Sequence, residues 1–252
     1  MISIRSAILG VAIAVLGSVG AMAASTTALK PIEPAAFQAA LDGLVKDLMV
    51  PGALVLVRTP QGEFVFGSGA TELGGADRPR ADTHFRIASN TKTMAAAVIV
   101  LLAQEGKLHF DDPVSKYVSG VPNGEHITIA QLLKMRSGLY NYTAPPEIAE
   151  SLDREPTKSL TPEELLAIAF KHPPVFAPGH EFDYCNTNYV LLGLVAEKVE
   201  GEGLAKIFQT RLFGPLGMKE TLLPADTSNT IPEPYSHGYL YGGASYALGD
   251  AA

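Results

Sequence analysis

Apolar residues recur at helical spacing in several parts of the chain. Between Ala35 and Met49 one side of a helix would carry Phe37, Leu41, Leu44, Val45 and Leu48. This pattern predicts an amphipathic helix that ends at Pro51-Gly52. From Met94 to Leu102 the residues are apolar on every side, which is typical of a helix buried in a core.

The segment after the first helix contains two short apolar runs separated by a turn. The apolar runs Ala53–Val57 and Phe64–Gly67 flank Pro60-Gln61-Gly62, and this arrangement predicts a β-hairpin. Two strands alone rarely make a stable sheet. Either the tail from Pro224 to Ala252, which has no firm assignment, contributes strands, or the sheet is unfinished in this chain.

Further helices are predicted by their start signals. Thr128 with Gln131, and Thr161 with Glu164, have the spacing of capping boxes. The predicted helices are Ile129–Met135, Glu163–Phe170, Asn188–Val199 and Leu204–Leu212. The stretch between Gly106 and Gly179 therefore consists of helices and loops with little strand signal.

Composition and charge narrow the class of protein. The 252 residues are 47% hydrophobic, and the net charge of −7 argues against nucleic acid as a partner. The six histidines lack zinc-ligand spacing, so we expect no metal and no cofactor. Cys185 is the only cysteine, so an internal disulfide is impossible.

The N-terminus has the pattern of a secretory signal peptide over residues 1–23. Arg5 supplies the positive charge, Ala7–Val19 the apolar run, and Ala21-Met22-Ala23 the cleavage signal. An uncleaved membrane anchor is the alternative, but 13 residues are too few to span a bilayer comfortably. We expect a periplasmic or secreted domain of residues 24–252 with no stable membrane span.

The tetrad Ser89-Asn90-Thr91-Lys92 is the first candidate for chemistry. At the start of a helix, residues three apart lie on one face, so Lys92 can reach the hydroxyl of Ser89. A lysine held out of water can take the proton of a serine and make it a nucleophile. The alternative is an ordinary helix start, with Ser89 as N-cap and Lys92 solvated.

The second candidate is Tyr184-Cys185-Asn186, placed before another predicted helix. A tyrosine beside the lysine could relay a proton to a leaving group, and an asparagine offers a donor and an acceptor to an amide. The alternative is a turn in which Tyr184 packs and Asn186 caps the helix. Cys185 could be a reactive thiol, but a small half-buried side chain is the favoured interpretation.

Together these segments resemble the serine β-lactamase-like hydrolases, which include class C β-lactamases, D-alanyl-D-alanine carboxypeptidases and related esterases and D-aminopeptidases. The resemblance begins near Ala35. It rests on Phe85–Lys92, Glu105–Leu108, Asp111–Val114, Ile127–Leu133, Ser137–Thr143, Tyr184–Asn186 and Pro215–Met218.

The resemblance implies an α+β fold, an antiparallel sheet flanked by helices with an inserted helical region. It implies that Ser89 is the acylated nucleophile and Lys92 the acceptor of its proton. Tyr184 would shuttle protons to and from the leaving group, and Asn186 would bind the amide of the substrate. Ser137-Gly138-Leu139 would lie near the site as scaffold. The substrate would be a small molecule or a peptidoglycan peptide.

One expected motif is missing. Members of this family carry Lys-Thr-Gly or His-x-Gly on a strand near the C-terminus, and this sequence contains neither. We therefore expect a domain that lacks its C-terminal strands. The leading hypothesis is an exported serine hydrolase. It would act as a D-alanyl-D-alanine carboxypeptidase or as a β-lactamase-like enzyme that hydrolyses amides or esters. The alternative is an inactive pseudoenzyme or a peptidoglycan-fragment binding module.

A third hypothesis, a Ser-His-Asp hydrolase, is not supported by the motifs of this sequence. The nucleophile elbow of such enzymes has the form Gly-x-Ser-x-Gly, and Gly243-Ala244-Ser245-Tyr246-Ala247 lacks the second glycine.

Overall fold

The computed structural model describes residues 30–155, 157–224, 230–240 and 249–250. The predicted signal peptide lies outside these residues. Pro34–Ala252 forms one compact unit, and of the preceding unit, Met1–Glu33, the last four residues alone are described. In the described part of the chain, no helix combines the length and the apolar character that crossing a membrane requires.

The first helix and the hairpin form as predicted. Helix α1 spans Pro34–Asp47, and strands β1 (Gly52–Thr59) and β2 (Gly62–Gly69) pair antiparallel along their whole length. The ring of Phe37 stacks on that of Phe66 with 4.4 Å between centroids, which fixes α1 on one face of the hairpin.

A helical region follows the hairpin. Residues Ala88–Asn90 form a 3₁₀ turn directly before the first helix of this region, and Gln209–Phe213 form a π-helical turn directly after its last helix. The helices are α2 (Thr91–Gln104), α3 (Ile129–Leu133), α4 (Pro146–Arg154), α5 (Pro162–Ala169), α6 (Asn186–Glu200) and α7 (Leu204–Phe208). Both predicted capping boxes are present, at the starts of α3 and α5. Helix α4 was not predicted, because its nine residues carry few apolar side chains.

Helices α2 and α6 form the centre of the core. Six of their aliphatic side chains lie in the core with no exposed surface: Val98, Ile99, Leu102, Leu191, Leu192 and Val195. Each such side chain contributes about 1.5–3 kcal/mol through removal of apolar surface from water. This packing explains the all-round apolar character of α2, and it holds the N-terminal ends of α2 and α6 next to each other.

A cluster of charged groups joins the other ends of these helices. Glu200, the last residue of α6, accepts hydrogen bonds from Arg211 at 2.7 Å and from Lys107 at 2.8 Å. Arg211 also binds Glu105, directly after α2, at 2.6 Å. Because Glu200 and Arg211 are mostly covered, this cluster is screened less by salt than a surface pair.

The tail does contribute strands, but they form a separate ladder. Strands β3 (Tyr239–Leu240) and β4 (Gly249–Asp250) pair with each other, antiparallel. In the described ranges, β1 and β2 pair with each other alone. The tail contacts the rest of the unit at a bridge between Tyr235 and His84, and the N–H of His237 donates to the Thr71 carbonyl at 2.8 Å.

Candidate active site

Ser89 lies in the 3₁₀ turn that precedes α2, and the helix itself begins at Thr91. The tetrad therefore lies at the start of a helix, as predicted, with the first α-helical residue two positions after Ser89. Ala88 has a φ of 42°, in the left-handed region that non-glycine residues rarely adopt. This turn places Ser89 next to the start of α2. The N-cap residue of that helix is Asn90, whose side chain makes no capping hydrogen bond. The alternative in which Ser89 is the N-cap is thus wrong.

The side chain of Lys92 connects two site residues. Its Nζ donates to Ser89 Oγ at 2.9 Å and to Asn186 Oδ1 at 2.8 Å. The same nitrogen lies 4.9 Å from the centre of the Tyr184 ring, within range of a cation–π interaction. Lys92 is therefore half-buried and bound to both residues, rather than extended into solvent as in the alternative.

Tyr184, which is distant from Ser89 in sequence, contacts the same hydroxyl. Its hydroxyl donates to Ser89 Oγ at 2.7 Å, although the two residues are 95 positions apart. The side chain is about half exposed, with 46% of the residue accessible. The neighbouring Lys92 amine and the hydrogen bond to Ser89 lower the pKa of this phenol below its ordinary value.

Two groups that can carry protons thus converge on one hydroxyl. The hydrogen of the Ser89 hydroxyl can rotate toward either group. Lys92 or Tyr184 can therefore accept this proton once it has lost a proton of its own. Deprotonated Ser89 is a strong nucleophile, and the group that received the proton can return it to a leaving atom. The arrangement is suited to acyl transfer without histidine.

Asn186 is the first residue of α6, and its orientation is fixed by the segment 139–143. The preceding Cys185 makes no side-chain cap bond. Instead, the Asn186 N–H donates to Asn141 Oδ1, and its Nδ2 donates to Thr143 Oγ1, both at 3.1 Å. The segment Ser137–Thr143 carries part of the family resemblance, but no spacing along the chain indicates that Asn141 and Thr143 contact Asn186.

The structure places Ser137 and Gly138 beneath the site. Ser137 Oγ donates to Asn188 Oδ1 at 2.6 Å in a buried position of α6. Gly138 has a φ of 74°, and a Cβ on it would lie 2.0 Å from the carbonyl oxygen of Phe176. These residues hold the segment against α6, as expected of scaffold.

Cys185 is 2% exposed, and its Sγ donates to the carbonyl oxygen of Leu139 at 3.3 Å. Burial raises the pKa of this thiol. A protonated, covered thiol is a poor nucleophile. Cys185 thus packs as a small side chain, as the favoured interpretation expects, but it is fully buried and not half-buried.

A cavity of about 880 Å³ opens at Ser89, Lys92 and Asn186. It continues along α6 between apolar side chains that include Ala95, Leu194, Leu204 and Phe208. In the described ranges, no group of three or more His, Cys, Asp and Glu side chains is close enough to hold a metal ion.

Comparison with known sequences identifies the family of this chain. The Beta-lactamase family profile matches residues 37–244, and the chain belongs to this family. Protein flp of Staphylococcus aureus (strain MW2) is 33% identical over 68% of this chain. The match covers 34% of that relative, so the chain spans about a third of its length.

Solved structures of similar fold include two amide hydrolases. A D-stereospecific amidohydrolase from Streptomyces sp. superposes with a TM-score of 0.77 at 34% identity, over 87% of this chain and 65% of that one. D-amino acid amidase from Ochrobactrum anthropi SV3, complexed with L-phenylalanine amide, gives 0.72 at 29% identity, over 86% and 61%. The predicted α+β fold of the β-lactamase type is thereby confirmed.

Proposed function

We propose that the protein is a serine hydrolase that works through an acyl-enzyme. The observation that carries the proposal is the double contact on Ser89 Oγ, from Lys92 Nζ at 2.9 Å and from the Tyr184 hydroxyl at 2.7 Å. A serine with two proton carriers in hydrogen-bonding range is set up for attack on a carbonyl carbon.

The reaction proceeds in two halves. As the bond from Ser89 Oγ to the carbonyl carbon forms, the serine proton passes to Lys92 or Tyr184. The bond from carbon to the leaving nitrogen or oxygen then breaks, and that atom receives a proton from the same pair. Water repeats the sequence on the acyl-enzyme, so that the acid is released and Ser89 recovers its proton.

The proposed substrates are amides or esters beside a D-amino acid. The similarity to a D-stereospecific amidohydrolase and a D-amino acid amidase supports this class. Asn186 offers a donor and an acceptor for the amide of such a substrate. D-alanyl-D-alanine peptides of peptidoglycan and β-lactams belong to the same chemistry, and the predicted signal peptide would deliver the enzyme to the compartment that holds them.

The test of the nucleophile is covalent labelling of the full chain by a fluorophosphonate and by a fluorescent penicillin. Ser89→Ala should abolish labelling, whereas Ser115→Ala, which changes an exposed serine away from the site, should retain it. Labelling that persists in Ser89→Ala would exclude Ser89 as the nucleophile. Absence of labelling and turnover in the unchanged chain would favour the inactive or binding-module alternative.

The substrate class is tested by comparing hydrolysis rates of D- and L-phenylalanine amide, a D-alanyl-D-alanine peptide, nitrocefin and p-nitrophenyl acetate. The proposal expects the D-amide to be hydrolysed faster than the L-amide. Equal rates for the two enantiomers, or turnover of the acetate ester alone, would contradict the D-amino acid assignment.

A further inference from the structure

We infer that Thr143 is a positioning residue, which sets the amide of Asn186 so that its oxygen faces Lys92. This inference rests on the proposed function, because its effect on rate is transmitted through Lys92 to Ser89. Thr143 itself does not touch the reacting hydroxyl in this arrangement.

The amide of Asn186 has two ends with different partners. Its Oδ1 accepts from Lys92 Nζ at 2.8 Å, and its Nδ2 donates to Thr143 Oγ1 at 3.1 Å. An amide turned over by 180° would present two N–H donors to an amine that also donates. The hydroxyl of Thr143 stabilises the productive orientation, because it gives Nδ2 an acceptor on the side away from Lys92.

The backbone beneath this amide is held from the same segment. The first N–H groups of a helix have no acceptor within the helix. Here the Asn186 N–H binds Asn141 Oδ1, and Thr187 Oγ1 both donates to the Tyr140 carbonyl at 2.8 Å and accepts from the Tyr142 N–H at 3.1 Å. The start of α6 is thus joined to residues 140–143 by several bonds, which bring Thr143 beside Asn186.

The consequence for catalysis concerns the position of Lys92. Its Nζ is held between Ser89 Oγ and Asn186 Oδ1, so an Asn186 amide that can turn over releases one of these two contacts. Losing the bond that orients the amide should lower the rate of acylation by about tenfold, the effect of one hydrogen bond in a positioned network.

The experiment compares Thr143→Val with Thr143→Ser in the full chain. Valine keeps the shape of threonine and removes the hydroxyl, whereas serine keeps the hydroxyl. We expect the second-order rate of fluorophosphonate labelling to fall about tenfold in Thr143→Val and to return to within about twofold of the original in Thr143→Ser. Equal rates in all three proteins, or equal losses in both variants, would overturn the inference.

A second readout does not depend on activity. The side-chain amide signal of Asn186 in a nitrogen–proton correlation spectrum can be assigned by its loss in Asn186→Ala. Its protons should exchange slowly with water in the unchanged chain and in Thr143→Ser, and faster in Thr143→Val. Unchanged exchange in Thr143→Val would refute the contact. If the unchanged chain is not labelled at all, the proposed function fails, and amide exchange still decides the role of Thr143.

Discussion

The hydroxyl of Tyr184 lies 2.7 Å from Ser89 Oγ, across 95 positions of sequence. The two residues flank the starts of α6 and α2, which pack against each other in the core. The contact therefore depends on the burial of Val98, Leu191 and their neighbours in the core. Core packing and site geometry are coupled in this fold.

Tyr184→Phe is expected to slow acylation of the full chain by about 10²–10⁴-fold, the usual contribution of a positioned proton carrier. Phenylalanine retains the aromatic ring that packs here and contacts the Lys92 amine, so thermal stability should change little. Labelling kinetics and a thermal melt measure the two effects. Tyr235→Phe, outside the site, serves as the control, and a similar loss of rate in that variant would contradict a specific role.

The titration of Tyr184 should begin at lower pH than that of an ordinary tyrosine. Lys92 and the bond to Ser89 lower its pKa below 10.0, while burial raises the pKa of Tyr142 and of Tyr189. Tyrosinate absorbance of the unchanged chain minus that of Tyr184→Phe isolates this group.

Removal of the neighbouring amine tests the cause of that shift. In Lys92→Met the titration of Tyr184 should move back up toward 10.0, because the first contributor to the lowered pKa is lost. A midpoint that does not move would show that Lys92 does not act on the phenol.

Gly138→Ala should destabilise the protein by about 2–5 kcal/mol, from the left-handed backbone and from overlap with Phe176. The control is Gly120→Ala, at a similar φ of 77° with nothing within 4 Å of the added Cβ. The control should lose only the conformational part, about 1–2 kcal/mol. Urea unfolding measures the free energy of unfolding of both variants. Equal losses would show that overlap of the added Cβ with the Phe176 carbonyl is unimportant.

Asp112 should make stability depend on pH in the acid range. Partial burial alone would raise its pKa, but hydrogen bonds from Tyr117, the His109 N–H and Lys116 outweigh this and lower it to about 2. A carboxyl group whose pKa is lower in the folded state stabilises the fold above its unfolded pKa of 3.8. That stabilisation, about 2 kcal/mol, is lost as pH falls toward 2.

Asp112→Asn therefore should lower the free energy of unfolding at neutral pH, and the difference from the unchanged chain should shrink between about pH 4 and pH 2. Asp111→Asn, at the exposed neighbouring carboxylate, is the control and should stay within about 0.5 kcal/mol throughout. A constant difference for Asp112→Asn across this range would mean that the carboxylate charge is not the cause.

The sequence alone determined the features that depend on neighbours along the chain. The capping boxes at Thr128 and Thr161, the hairpin of β1 and β2, and the reach of Lys92 to Ser89 all follow from spacings of a few residues. Such contacts are set by helix and strand geometry, which is the same in any fold. The resemblance of short motifs added the family and the roles expected of Tyr184 and Asn186.

Tertiary structure alone decided which distant groups meet and how they are oriented. Four hydrogen bonds of the site join segments far apart in sequence. Tyr184 donates to Ser89, and Lys92 donates to Asn186. Asn186 in turn donates to Asn141 and to Thr143. Their positions follow from the packing of α2 against α6 and of residues 139–143 against the start of α6. Spacing along a chain carries no information about such packing, because it is fixed by the burial of the whole core.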